Sequence, residues 1–170
     1  MDGEALRSKI RERFPDAVVR EHDFRGDQTL VLSASVLHDA LKFVRDEPGL
    51  EMDLLCTVCG ADYPEREQRF EVVYHLMSVK HKHRLRLRFP VSEESSMVDS
   101  VTDLFPTANW FEREVFDMIG IRFKGHPNLR RILTHEAFEG HPLRKDYPVN
   151  RRTVLRPPVA DILTPKPFNG

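Results

Sequence analysis

The spacing of apolar residues divides the first 120 residues into a run of short elements. Leu6, Ile10 and Phe14 recur every fourth position, which predicts an amphipathic helix over residues 4–14, stopped by Pro15. Residues 17–22 and 28–32, split by Gly26-Asp27, read as a β-hairpin. After Ser35, a candidate N-cap, the positions Val36, Leu37, Ala40, Leu41 and Val44 form a second helical stripe, and Pro48-Gly49 ends it. Residues 52–58 form an apolar strand, and residues 69–79, rich in Val, Tyr and Phe, form another. Over residues 83–89, Leu85, Leu87 and Phe89 alternate with Arg84, Arg86 and Arg88, the pattern of an antiparallel strand with one wet face. His81-Lys82 marks the turn before it. A short helix is predicted over residues 95–104. A longer one is predicted over 110–119, with Asn109 as cap, Glu112 three positions on and Gly120 as its C-terminal stop.

This order predicts an α+β (mixed α/β) fold, one sheet of about five mostly antiparallel strands covered by helices. Past Gly120 the pattern stops. Seven prolines fall in the last fifty residues, with no sustained period. A structureless loop of that length does not suit a compact domain. The chain therefore divides into a globular part, residues 1–120, and an extended, Pro-rich, basic C-terminal arm, residues 121–170, ordered by contact with something else.

Charge sharpens that division. Residues 1–120 hold 16 Lys/Arg and 23 Asp/Glu, whereas residues 121–170 hold 10 and 4. An acidic body is thus followed by a basic tail. Hydrophobic content of 40% and charged content of 31% exclude global disorder. No apolar run reaches the roughly 20 residues a membrane span needs, and the acidic start lacks the order of a signal peptide. The chain reads as cytosolic, able to reach a membrane only through a partner.

The candidate chemistry is sparse. Cys56 and Cys59 form a Cys-x-x-Cys on a strand entering a Gly turn, where a redox site would need a helix N-terminus. No second pair completes a zinc site. Strand alternation sends the two thiols to opposite faces, and they read as unlinked small core residues. His126, His135 and His141 lie nine and six residues apart, too widely spaced for zinc ligands. His126-Pro127 and His141-Pro142 read as turns. The row Arg84, Arg86, Arg88 reads as a solvated sheet face or a charged edge, since no aromatics interleave it for nucleic acid. No phosphate-binding glycine loop, dinucleotide fingerprint or nucleophile elbow occurs.

Residues 110–148 carry the densest pattern. On the helix, Arg113 and Asp117 are i,i+4 neighbours and Glu114 and Asp117 are i,i+3. These groups suit paired carboxylates for acid–base work, an exposed salt-bridged face, or an interface meeting a partner or the chain's own arm. The interface reading is favoured, because no nucleophile sits beside a base.

The motifs resemble those of the 30-kilodalton subunit family of NADH–quinone oxidoreductase, respiratory complex I. The resemblance rests on Glu112-Arg113-Glu114, Asp117, Gly120-Ile121, Phe123, Gly125-His126-Pro127, Leu129 and Arg131-Ile132-Leu133. It extends to Gly140-His141-Pro142-Leu143-Arg144-Lys145-Asp146-Tyr147-Pro148. Upstream, Asp62-Tyr63-Pro64 and the run from Arg69 to Leu76 also fit, so it spans residues 50–150. No role passes to Cys56 or Cys59.

The resemblance implies a hydrophilic peripheral-arm subunit that itself holds no cofactor, metal or catalytic residue. Its implied partners are the quinone-site subunit of the complex and the cluster-bearing neighbour of that subunit, and the isolated chain would be a monomer. NADH would be oxidised at FMN elsewhere, electrons would pass through iron–sulfur clusters in other subunits, and quinone would be reduced at the neighbour. The location implied is the cytoplasmic side of the cell membrane, or the matrix side of the mitochondrial inner membrane. Glu112, Arg113, Glu114, Asp117, Arg130, Arg131, Arg144, Lys145 and Asp146 take interface and arm-anchoring roles in this reading. The equivalent subunit of a membrane-bound hydrogenase or formate hydrogenlyase complex is an alternative. A basic-tailed nucleic-acid binder and a small metal hydrolase using the tail histidines are alternatives of other classes.

Overall fold

Five strands form one mixed sheet in the order β1-β2-β5-β4-β3, and three helices cover one of its faces. The computed structural model of the chain describes residues 3–150. The elements are α1 (Gly3–Arg13), β1 (Val18–Phe24), β2 (Asp27–Leu32), α2 (Leu37–Asp46), β3 (Leu54–Asp62), β4 (Phe70–Met77), β5 (Arg84–Val91), β6 (Met97–Asp99), α3 (Ala108–Ile119) and β7 (Arg122–Lys124). All neighbours in the main sheet are antiparallel except β2 and β5. That pair is parallel because α2, β3 and β4 intervene before the chain returns beside β2. The α+β architecture is the one the periodicities predict.

Strand alternation builds the core. Phe70, Val72, Tyr74 and Leu76 of β4 and Leu85, Leu87 and Phe89 of β5 are buried together. They meet Leu6 and Ile10 of α1, Leu37, Leu41 and Val44 of α2, and Val115 and Ile119 of α3. Arg25 and Gly26 both take positive φ, 54° and 86°, in the tight turn of the β1–β2 hairpin. A short 3-10 turn, Ala34–Val36, precedes α2, and its cap is Ser33, whose side chain accepts from the Ser35 N–H.

Several local expectations are corrected. The segment 95–104 is not a helix: β6 pairs in parallel with β7, and a tight turn at 101–105 follows, closed by the Phe105 N–H on the Val101 carbonyl at 2.8 Å. α3 begins at Ala108 after Thr107, so Asn109 lies inside the helix. Gly60 sits mid-strand in β3, and a Cβ there would lie 2.9 Å from side-chain atoms of Val115 and Ile119. α3 approaches the sheet closely at this point.

Cys56 and Cys59 are exposed, not core residues. A β-bulge between Leu55 and Thr57 re-phases the strand, so Leu55 and Val58, an odd step apart, both reach the core. The two thiols therefore both lie outside it.

The globular part also runs past residue 120. Ile121 and Phe123 are buried, and β7 belongs to the small second sheet. Residues 125–150 then cross α3 without a helix or strand of their own. The remainder of the arm, 151–170, lies outside the described residues.

Candidate functional site

α3 turns one apolar side to the sheet and presents a polar stripe, Asn109, Arg113 and Asp117, on another. These positions are four apart and stack along one helix face. The chain reverses at Gly125, φ 82°, and runs back along that stripe. His126 donates from Nε2 to the Asn109 carbonyl at 3.0 Å, while its Nδ1 accepts from the Asn128 N–H at 3.0 Å. Arg113 donates to the carbonyls of Arg130 and Arg131 at 3.1 and 3.2 Å.

Asp117 holds the next segment. Its Oδ2 accepts the N–H groups of Ile132, Leu133 and Thr134 at 3.0, 2.8 and 2.8 Å, and its Oδ1 accepts from Arg131 Nη1 at 2.7 Å and from the Thr134 hydroxyl. Burial alone would raise this carboxyl's pKa. The donors from Thr134, Arg131 and Leu133 outweigh burial and hold it well below the usual carboxylate range.

The block 140–147 then closes the end of α3. A helix leaves its last carbonyls without intrahelical partners. Here the Asp117 carbonyl accepts from His141 Nδ1 at 2.9 Å, Met118 from the Leu143 N–H at 3.0 Å, and Ile119 from Arg144 Nε at 2.6 Å. The Arg144 cation also complements the helix dipole and lies 4.8 Å from the centre of the Phe70 ring. Gly120 ends the helix at φ 87°, and a Cβ there would come within 2.6 Å of His141 and Arg144.

Beyond it, the Lys145 N–H donates to Asp62 Oδ2 at 2.7 Å, and Asp146 pairs with Arg69 at 2.9 Å. Arg69 grips Asp62 with two hydrogen bonds, of 2.8 and 3.0 Å, and reaches Glu93 at 2.7 Å. In the sequence, Asp62 and Arg69 stand out only as parts of a motif. The signal available was a charged residue at each end of two facing apolar strands. Asp62↔Phe70 is the terminal pair of the β3–β4 ladder, which brings Asp62 beside the start of β4 and Arg69.

The remaining motif residues separate into two groups. Glu112 faces inward and is fully buried, accepting from Ser100 Oγ at 2.6 Å and the Val101 N–H at 2.9 Å. Burial pushes its carboxyl up to about 7 against the pull of those two bonds. It braces the turn at residue 101, and it does not act as the exposed partner of Arg113. Gly140, φ 90°, offers its carbonyl to Arg131 Nη2 at 3.0 Å. Tyr147 stacks on Phe138, and Pro142 is half-buried. Glu114, Pro127, Arg130, Leu143, Lys145, Asp146 and Pro148 are exposed.

Among the described residues, no group of three or more His, Cys, Asp or Glu is placed to hold a metal ion. His126 and His141 are spent on backbone groups, and His135 packs edge-on to Phe138. The arginine row of β5 lies mid-sheet, between β2 and β4, so it is not a charged edge. The two buried carboxylates of α3 are both held by donors, five at Asp117 and two at Glu112. Among the side chains the site leaves outward are three large apolar ones: Trp110, Leu133 and Leu143 are 67%, 64% and 59% exposed.

The model of the family described as respiratory-chain NADH dehydrogenase, 30 Kd subunit, matches residues 30–153, which include α3 and the whole described arm. The chain belongs to that family. It is 49% identical to the corresponding NADH-quinone oxidoreductase subunit of Hyphomonas neptunium over 92% of this chain and 78% of the relative. Identity to the Roseiflexus castenholzii counterpart is 46%, over 91% and 88%. Among solved structures, a trypsin-resistant fragment (1-134) of Nqo5 is 30% identical, with a TM-score of 0.66 over 76% of this chain and all of the fragment. A chain of the membrane-bound sulfane sulfur reductase, an archaeal respiratory membrane complex, aligns with a TM-score of 0.72 at 24% identity, covering 87% of this chain and 86% of that one. That second likeness is one of fold alone. Among the described residues no helix is long and apolar enough to cross a membrane.

Proposed function

We propose that the chain is a non-catalytic structural subunit in the peripheral arm of a proton-translocating NADH:quinone oxidoreductase. It docks through the α3–arm face on the quinone-site subunit and fixes that subunit against its cluster-bearing neighbour. The observation that carries this reading is the division of labour on the face. The motif's polar groups mostly fold the arm onto the body, while Trp110, Leu133 and Leu143 remain open to solvent. Large apolar side chains beside an ordered polar scaffold are what a protein–protein interface displays.

The subunit supplies geometry, and the chemistry belongs to its neighbours. FMN, iron–sulfur clusters, NADH and quinone are held on other subunits in this reading. The chain sits at the cytoplasmic face of the membrane, or the matrix face in mitochondria, held there by the complex, and is a monomer alone. The relatives at 46–49% identity favour NADH as donor over the hydrogenase-type alternative.

The pair Trp110→Glu and Leu143→Glu tests the proposal. Both side chains are exposed, so circular dichroism of the isolated chain stays unchanged. Co-isolation with the quinone-site subunit, and quinone reductase activity of membranes, fall by about tenfold or more, as expected for interface anchors. Full assembly and activity in the double variant would refute the docking face.

A further inference from the structure

The helices cover one face of the main sheet, and the opposite face is uncovered among the described residues. Strand register lays out what that face carries. One row runs His22, Thr29, Arg86, His75 and Thr57 across the five strands, and the next runs Arg20, Val31, Arg88, Val73 and Cys59. Arg84 and Arg66 flank these rows. The strand positions of this face thus set Arg20, Arg84, Arg86 and Arg88 against Asp27 and Glu71, and the adjoining loop adds Arg66 and Glu67, in a chain whose net charge is −1.

Internal pairing uses only part of that charge. Glu71 is buried and shared by Arg88 and Arg66, with Arg88 Nη2 at 2.8 Å and Arg66 Nη1 at 3.3 Å. Arg86 donates to Thr29 at 3.2 Å and lies 3.8 Å from Asp27. Arg20 and Arg84 are exposed and meet no carboxylate among the described residues. Between the arginines lies a cavity of about 330 Å³, walled by Cys56, Thr57, His75, Met77, Arg84 and Arg86.

We propose that this sheet face docks an acidic segment of a partner protein, which seats one apolar side chain in the slot beside Cys56 and pairs its carboxylates with Arg84 and Arg20. The excess of arginine selects the sign of the partner. The slot has Met77, Leu76 and Leu85 in its wall and Arg84 and Arg86 along one side, with Asp27 lying 3.8 Å from Arg86, and suits a leucine or phenylalanine flanked by carboxylates that reach Arg84. Single-stranded nucleic acid fits poorly, because the strands offer one exposed aromatic, Phe24, at the hairpin tip, and no platform for successive bases. This surface lies across the sheet from α3 and the arm, so it does not rest on the docking proposed above. Together the two faces make the chain a bridge.

The test uses the full chain and a fluorescein-labelled amphipathic peptide of Glu and Leu, with a Lys/Leu peptide as control. Anisotropy at low salt shows binding of the acidic peptide and not of the basic one. Arg20→Glu combined with Arg84→Glu weakens binding by about tenfold or more. Thr57→Phe, which fills the slot without altering charge, weakens it too and keeps the test decisive if the charge reversal disturbs folding. Trp110→Glu with Leu143→Glu leaves it unchanged. In a Cys59→Ser background, iodoacetamide alkylates Cys56 more slowly when the acidic peptide is bound. Equal binding of both peptides, insensitivity to the charge reversal or to Thr57→Phe, or unprotected Cys56 would overturn the proposal. So would tighter binding to phosphatidylglycerol vesicles or duplex DNA than to the peptide.

Discussion

Two carboxylates on one helix, Glu112 and Asp117, are both fully buried and yet are driven in opposite directions. Two things separate them: Glu112 lies deeper in the body, and Asp117 has more donors. Asp117 collects three backbone N–H groups, a hydroxyl and a guanidinium, whereas Glu112 has one hydroxyl and one N–H. Asp117's folded pKa lies below its unfolded value, so its stabilisation is present above roughly pH 4 and lost as pH falls through the folded value. Asp117→Ala strands those donors and loosens the arm by about 2–4 kcal/mol locally. Trypsin then cleaves after Arg131 on the order of a hundredfold faster, while core circular dichroism is retained. Parent-like cleavage would show that Asp117 does not hold the loop.

Glu112 carries the opposite sign, since its folded pKa is raised from 4.5 to about 7. Its contribution is fully present below pH 4.5 and is lost as pH rises towards and through 7. Glu112→Gln keeps an oxygen to accept from the Val101 N–H and places an amide N–H that donates to Ser100 Oγ, without the charge. The variant should gain stability over the parent between pH 5 and 8, by an amount on the order of 2 kcal/mol at the upper end. Urea unfolding across that range is the check, and parallel pH profiles for the two proteins would contradict it.

Elements with a long, unbroken period were legible in the sequence: α1, α2, and β5 with its Leu/Arg alternation. What failed involved partners distant along the chain. β6 is three residues long and exists because β7, beyond α3, lies beside it. No window around Met97 contains that information. The bulge at Cys56 likewise breaks the parity rule that sent Cys56 and Cys59 to opposite faces. Gly60 reads as a turn in the sequence because a strand glycine and a turn glycine are identical until the packing helix is known. Gly60→Ala forces Val115 and Ile119 away from the sheet and costs about 1–3 kcal/mol. A thermal melt with an unchanged midpoint would show that α3 has room to move.

At the scale of the whole molecule, the motif block folds largely onto α3 and the edge of the sheet. The sequence alone makes charges such as Arg113, Arg131 and Arg144 either partner contacts or arm anchors, and it cannot choose between these. Their acceptors are largely backbone carbonyls of the arm and of the last turn of α3, whose positions exist only after folding. The described arm is therefore built into its own body, and in the proposed docking the neighbour would meet a surface already shaped. Hydrogen exchange on the isolated chain tests this most directly. The amides of Ile132, Leu133, Thr134, Leu143 and Lys145 should exchange slowly with no other subunit present, and little slower in the assembled complex. Exchange of those amides at unfolded-chain rates until the quinone-site subunit is added would contradict it.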